Sequence, residues 1–168
     1  MLLKDFGQNI NIYKTKIDYI AMNLPIKTSI QKELNIYLTP KESFAAILLC
    51  AVAVDGHMAD EELQNLMTTL KRTKLYKDKT KASIINTLNK LLRIIKTYGV
   101  DSLVELALPN LPDYLRETVF ALATDITLSD GSMFEEELNM LSKLSTQLSI
   151  PEDSVDRITK VMTIKNKG

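Results

Sequence analysis

The 168-residue sequence has few of the residue types from which small metal or catalytic centres are built. It contains no tryptophan, one cysteine (Cys50) and one histidine (His57). A single cysteine excludes an internal disulfide framework, and the two residues together cannot form a four-ligand cysteine–histidine zinc site. We expect Cys50 to be a small core residue and His57 to lie in a solvated turn.

Long apolar runs, glycine, proline and aromatic residues are also scarce. Gly and Pro number five each and aromatic residues make up 6%, which favours helices over a β-sandwich or barrel. The longest nearly apolar run, residues 44–54, is far shorter than the ~20 residues of a membrane span. Residues 1–7 do not contain a signal-peptide core. These features predict a soluble cytoplasmic protein without membrane insertion, and they leave peripheral membrane association open.

The chain has no net charge, but residues of one sign are concentrated in separate parts of it. The totals are 21 basic and 21 acidic residues, yet residues 71–96 hold nine basic residues and one acidic, and residues 97–157 hold three basic and twelve acidic. The basic block indicates either an anionic partner or a solvated helix. No aromatic residues interleave its lysines as a base-stacking surface requires, so we expect no nucleic-acid partner. Opposed charges favour docking of a protein partner and would allow head-to-tail homo-oligomers.

Helix signals are present along most of the chain. Thr39, Pro40 and Glu42 form a capping-box pattern with proline at the first helical position. The run 44–54 that follows is apolar on every face, which predicts a central, buried helix. Gly99 stands where a helix C-terminal cap is expected. Further helices are predicted at 78–98, 101–108, 114–129, 134–148 and 151–164, with looser patterns at 2–22 and 28–38.

In the helix predicted at 78–98, the apolar residues form one stripe. Its members are Ile84, Ile85, Leu88, Leu91, Leu92, Ile95 and Tyr98. No segment alternates with period two, so the fold class is all-α: a single-domain bundle of about seven to nine helices. We place an N-terminal helical extension at 1–38 and the main helical domain at 39–168.

The sequence repeats itself at an offset of 75 residues. Residues 46–63 align without gaps on residues 121–138. Both copies read as a buried helix, an Asp-Gly turn, a methionine and an acidic first turn of the next helix. The repeat predicts two helical hairpins, at 44–72 and 114–148, related by a pseudo-two-fold axis. Identical pairs include Asp55/Asp130, Gly56/Gly131, Met58/Met133, Glu61/Glu136, Glu62/Glu137, Leu63/Leu138 and Leu66/Leu141.

The doubled pattern of a buried Ala-rich helix followed by Asp-Gly-x-Met and acidic residues resembles the tellurite-resistance TerB-like family over about residues 40–165. The resemblance implies a compact all-helical cytoplasmic domain that is linked to resistance against tellurite and other stresses. It also implies that the acidic residues of the motif are candidates for binding a metal ion.

A calcium loop of the EF-hand type does not account for the motif. Asp55 and Glu62 would occupy positions 5 and 12 of such a loop, but positions 1 and 3 would be Ala51 and Ala53, which have no side-chain oxygen. The second copy has the same deficiency, with Ile126 and Leu128 in those places.

A site shared by the two hairpins remains a hypothesis. Its carboxylates would suit Mg²⁺, Ca²⁺ or Mn²⁺, and they are Asp55, Glu62, Asp125, Asp130 and Glu137. The alternative is that these acids are helix caps and solvated residues at helix starts, with Asp125 hydrogen-bonded to a neighbour.

No nucleophile, oriented base and oxyanion site occur together in the sequence, and the usual phosphate-loop and hydrolase motifs are missing. We therefore predict a non-enzymatic stress-response interaction module that binds a divalent cation and docks a protein partner. The alternative is a metal-dependent hydrolase that uses the acidic cluster.

Overall fold

The computed structural model describes residues 33–53, 58–129 and 135–167. Seven α-helices lie wholly within these ranges, which contain no strand, and the predicted all-α fold class is confirmed. Two single 3-10 turns, Leu108–Asn110 and Asp113–Leu115, join the fourth helix to the fifth. The α-helices are α1 (Pro40–Val52), α2 (Asp60–Arg72), α3 (Lys81–Tyr98), α4 (Val100–Ala107), α5 (Arg116–Thr127), α6 (Glu135–Gln147) and α7 (Glu152–Lys165).

Helix α1 begins with the predicted capping box. The Thr39 hydroxyl accepts a hydrogen bond from the Glu42 amide (3.3 Å), and the Glu42 carboxylate accepts one from the Thr39 amide (2.8 Å). Pro40 occupies the first turn, where its missing N–H costs no helical hydrogen bond. Every residue from Ser43 to Ala51 is buried, as the uninterrupted apolar run predicts.

Helix α1 is the centre of the bundle. It packs against α2, α3, α4 and α5, while α5 in turn carries α6 and α7 on its other sides. Four neighbours leave no solvated face on α1, which explains why its sequence lacks an amphipathic pattern. The large side chains that are fully enclosed in this core include Phe44, Ile47, Leu48, Leu49, Leu66, Leu70, Leu88, Leu91, Leu103 and Phe120.

Helix α3 begins at Lys81, three residues later than predicted. The Thr80 hydroxyl accepts a hydrogen bond from the Ser83 amide (3.1 Å) and caps the helix there. The ammonium of Lys71 donates to the carbonyls of Lys77 and Lys79, at 2.9 and 2.5 Å. Those carbonyls are held by a side chain from α2, and residues 77–79 form turns instead of helix.

The apolar stripe predicted on α3 is partly wrong. Ile94, which the stripe omitted, is buried, whereas Ile85 and Tyr98 are 37% and 43% exposed. The helix faces α1, α2 and α4, and their positions select which apolar residues point inwards. Periodicity alone predicts a wide apolar face on α3, and the neighbouring helices determine which residues at the edges of that face are buried.

The remaining helices agree with the sequence to within a few residues. Gly99 ends α3 at φ +86°, and α4 starts at once at residue 100. Helix α5 begins at Arg116 because a 3-10 turn occupies residues 113–115. The predictions at 134–148 and 151–164 correspond to α6 and α7, although residue 134 lies outside the described ranges.

The N-terminal predictions fall mostly outside the described residues. This applies to the helix at 2–22 and to the start of the helix at 28–38. Residues 33–34 are helical, but Asn35 has φ +50° and ends the helix, so its extension to Leu38 is wrong. Leu38 lies outside any helix and is fully buried in the core. The domain boundary after residue 38 stays a prediction.

The two predicted hairpins contain helices that contact each other, α1 with α2 and α5 with α6. The repeat partners Leu66 and Leu141 are both buried. Cys50 and its repeat partner Asp125 differ, because the thiol lies in the core and the carboxylate is partly exposed. The Asp-Gly turns lie outside the described residues, so the pseudo-two-fold relation stays a prediction.

Candidate functional site

Three of the five predicted metal ligands, Glu62, Asp125 and Glu137, lie among the described residues. Asp55 and Asp130 belong to the segments 54–57 and 130–134, outside them. Glu62 and Glu137 lie in the first turns of α2 and α6. The positive end of the helix dipole stabilises carboxylates at these positions. In the described part of the chain, no three acidic, histidine or cysteine residues are grouped to hold a metal. A site that includes Asp55 and Asp130 stays a prediction.

Glu62 caps the start of α2. Its Oε2 accepts a hydrogen bond from the backbone N–H of Ala59 at 2.8 Å. This bond satisfies one of the amide donors that a helix start leaves without a helical partner. A carboxylate has about four acceptor sites on its two oxygens, so this one hydrogen bond leaves sites for a cation. Capping and coordination by Glu62 are therefore chemically compatible.

Asp125 joins the end of the chain to α5. Its Oδ1 accepts from the Lys165 ammonium and from the Asn166 side-chain amide, both at 2.9 Å. The side chain of Asp125 is 25% exposed, so this ion pair is partly shielded from solvent. The sequence predicted a bound neighbour for Asp125 as the alternative to metal binding but did not identify it, because Lys165 and Asn166 lie 40 and 41 residues further along the chain.

A cleft of about 480 Å³ lies between α1, α4 and α6, and sequence reasoning did not detect it. Ile47, Val104 and Leu144 contribute to its apolar lining. Asp101 and Lys143 also line it and form a 2.6 Å ion pair that links α4 to α6. Apolar walls with a few polar groups are typical of ligand or peptide clefts. The two charged residues are 42 positions apart and carry no common sequence signal.

Cys50 lines the same cleft. Burial raises the pKa of its thiol, and the carboxylate of Asp101 raises it further. The Sγ donates to the carbonyl of Val100 at 3.8 Å. The thiol therefore stays protonated at neutral pH and packs as a small apolar group, as the sequence predicted.

A family model described as tellurite resistance protein TerB matches residues 41–160, more than half of the chain. The chain belongs to the TerB family. The resemblance seen in the repeated motif is thus confirmed, and the matched region runs from the first turn of α1 into α7. Neither a curated protein nor a solved structure matches the chain.

Membership of the TerB family connects the chain with tellurite resistance but does not assign a chemical role to any residue. Within the described ranges, none of the helices has the length and apolar character needed to cross a bilayer. The features available for function are the acidic helix starts, the cleft beside Cys50 and the charged surfaces.

Proposed function

We propose that this TerB-family chain is a non-enzymatic interaction module of a cytoplasmic stress response. Its acidic segment, residues 97–157, docks a protein partner, and a divalent cation held by Asp55, Glu62, Asp130 and Glu137 modulates that docking. Asp125 would join these ligands through its second oxygen, since Oδ1 is used by Lys165 and Asn166.

The observation that carries this proposal is that many acids of the segment are exposed and form no ion pair with a described residue. None of the ion pairs formed within the described ranges involves the exposed residues Glu105, Glu117, Glu135, Glu152 or Asp156. Exposed carboxylates without cationic partners repel one another, and a basic partner surface or a cation relieves that repulsion. The duplicated motif supplies carboxylates suited to hard divalent ions.

Titration calorimetry tests the ionic part of the proposal. Ca²⁺, Mg²⁺ and Mn²⁺ are titrated separately into the full chain and into Asp55→Asn/Asp130→Asn. We expect weak saturable binding of at least one ion and its loss in the double variant, because two half-loops provide fewer oxygens than a dedicated calcium site. Glu33→Gln/Asp78→Asn is the matched control, since it removes two exposed carboxylates outside both the repeated motif and the acidic segment.

Co-purification from native cells, with and without a chelator, tests the docking. We expect one protein to be retained in a manner that depends on the divalent ion and on Asp55 and Asp130. Absence of ion binding, or equal binding by both double variants, would remove the cation from the proposal. Hydrolysis of a substrate that requires the same carboxylates would contradict the non-enzymatic assignment.

A further inference from the structure

A second charged feature lies on α2 and α3, within the basic block of residues 71–96. Of the nine basic residues in this block, only Lys90 forms an ion pair with a described residue, namely Glu42 at 2.6 Å. The remaining cations are exposed or half-exposed. Their charge is not used in ion pairs with the described acids, which leaves it available to an anionic ligand.

Three of these basic residues line one groove. Lys71 and Arg72 from the end of α2 and Lys81 from the start of α3 line a space of about 400 Å³. The groove also contains Met67 and Ile84, which are only 8% and 2% exposed and give it an apolar lining. Gln64 and Thr68 complete it with polar groups. This size is within the range of pockets for small organic ligands.

The connection between α2 and α3 holds the groove in shape. Two donors of the Lys71 ammonium bind the carbonyls of Lys77 and Lys79, which leaves the third for a ligand. Tyr76, 2% exposed, donates its hydroxyl hydrogen to the carbonyl of Lys41 at 2.5 Å and fixes the connection to α1. The Lys71 ammonium is thus placed before any ligand binds, which lowers the entropy lost on binding.

The start of α3 adds to the positive potential. This 18-residue helix has no acidic residue in its first turn, where a negative charge would otherwise offset the helix dipole. Lys81 stands at its first position and also lines the groove. The helix dipole therefore acts in the same direction as the three side-chain charges.

We propose that this groove binds a soluble organic phosphate monoester that carries a small apolar group. The phosphate dianion would lie among Lys71, Arg72 and Lys81, and the apolar group would cover Met67 and Ile84. Arginine and lysine are the usual partners of phosphate oxygens. A phosphate on a lipid headgroup has the same chemistry, but the apolar part of this site is a groove sized for a small molecule.

Phenyl phosphate is a suitable probe, and calorimetry on the full chain measures its binding. We expect saturable binding that exceeds the binding of inorganic phosphate, which lacks the apolar part. Arg72→Gln/Lys81→Gln should weaken the binding of phenyl phosphate about tenfold or more, because it removes two charge-assisted hydrogen bonds. Arg93→Gln/Lys96→Gln is the matched control: it removes the same charge from exposed positions of the basic block outside the groove, and should change affinity less than about twofold.

Equal weakening by the two double variants would show a general effect of positive charge and overturn the site. Failure of phenyl phosphate to bind saturably at millimolar concentration would overturn it as well. A vesicle arm separates the two phosphate sources: phosphatidylcholine vesicles are compared with and without phosphatidic acid. Binding to phosphatidic acid vesicles without binding to phenyl phosphate would contradict a soluble ligand. All four substituted positions are exposed, so thermal unfolding should confirm that each variant folds.

Discussion

Glu42 shows at the scale of one residue how the fold uses a carboxylate. Its Oε2 accepts hydrogen bonds from the amide and the hydroxyl of Thr39, and its Oε1 accepts one from Lys90 at 2.6 Å. Burial by itself raises the pKa of Glu42, but the hydrogen bonds and charge of Lys90 and the bonds from Thr39 outweigh it and lower the pKa below its ordinary value of 4.5. The charged form is therefore favoured by folding.

We expect Glu42→Gln to lower the free energy of unfolding by about 1 kcal/mol at neutral pH, because glutamine keeps the cap but loses the charge. The folded-state pKa lies below the unfolded value, so this stability is present above about pH 4.5 and is lost as pH falls through the folded pKa. Denaturant titrations across this range measure it. Glu62→Gln, which changes a capping carboxylate without a lysine partner among the described residues, should cost less.

Gly99 is the residue at which backbone conformation matters more than packing. Its φ of +86° and ψ of 167° fall in a region that is open almost only to glycine, while a Cβ placed there would meet no atom within 4 Å. We expect Gly99→Ala to destabilise the protein by about 1–3 kcal/mol through backbone strain alone. Chemical denaturation measures this loss, and an unchanged midpoint would contradict the assigned strain.

At the scale of secondary-structure elements, α7 depends on a small number of connections. It packs chiefly on α5, and much of its surface is exposed, including Val161 and Ile164 at 57% and 60%. The contacts of Asp125 with Lys165 and Asn166 fasten its C-terminal end to α5. The end of α7 is therefore where local opening should respond to the loss of a single interaction.

We expect Asp125→Asn to speed amide hydrogen exchange near residues 162–167 and to lower the global stability by only about 0.5–1 kcal/mol, because the Lys165 side chain is mostly exposed. Lys165→Gln should have the same effect, since it breaks the same pair while leaving the carboxylate intact. Asp153→Asn is the control, since it alters a 3.8 Å surface pair with Arg157 near the start of α7. It should leave amide exchange at residues 162–167 unchanged.

For the whole molecule, described residues that precede the first capping box belong to the core. Leu38 is fully buried, and Leu34 and Ile36 are partly buried against the same cluster, although all three precede the region matched by the TerB family. The residues that complete the bundle thus begin before its first capping box.

A chain that begins at Pro40 should have a free energy of unfolding about 3 kcal/mol lower than a chain that begins at Glu33. The loss combines about 2 kcal/mol for burial of Leu38 with about 1 kcal/mol for the Thr39 cap. Thermal and denaturant unfolding of both chains measures the difference. Leu38→Ala in the full chain is the matched control and should account for the larger share.

The sequence alone determined the features that depend on near neighbours. The capping box joins Thr39 and Glu42, which are three positions apart, and Gly99 alone ends α3. The burial of α1 follows from a continuous apolar run. Propensity, capping and periodicity act over such distances, so the all-α class and most helix positions could be predicted. The repeated motif was sufficient to indicate the TerB family, which the family model confirms.

Only the tertiary structure decided the features that join distant parts of the chain. Asp125 contacts Lys165, Asp101 contacts Lys143, and Lys71 fixes the carbonyls of a later turn. The tertiary structure also places Ile94, and not Ile85, in the core. A charge or an apolar side chain is suited to many partners, and the helix that packs beside it selects one of them. Side-chain pairing and clefts therefore follow from helix packing, which no local pattern specifies.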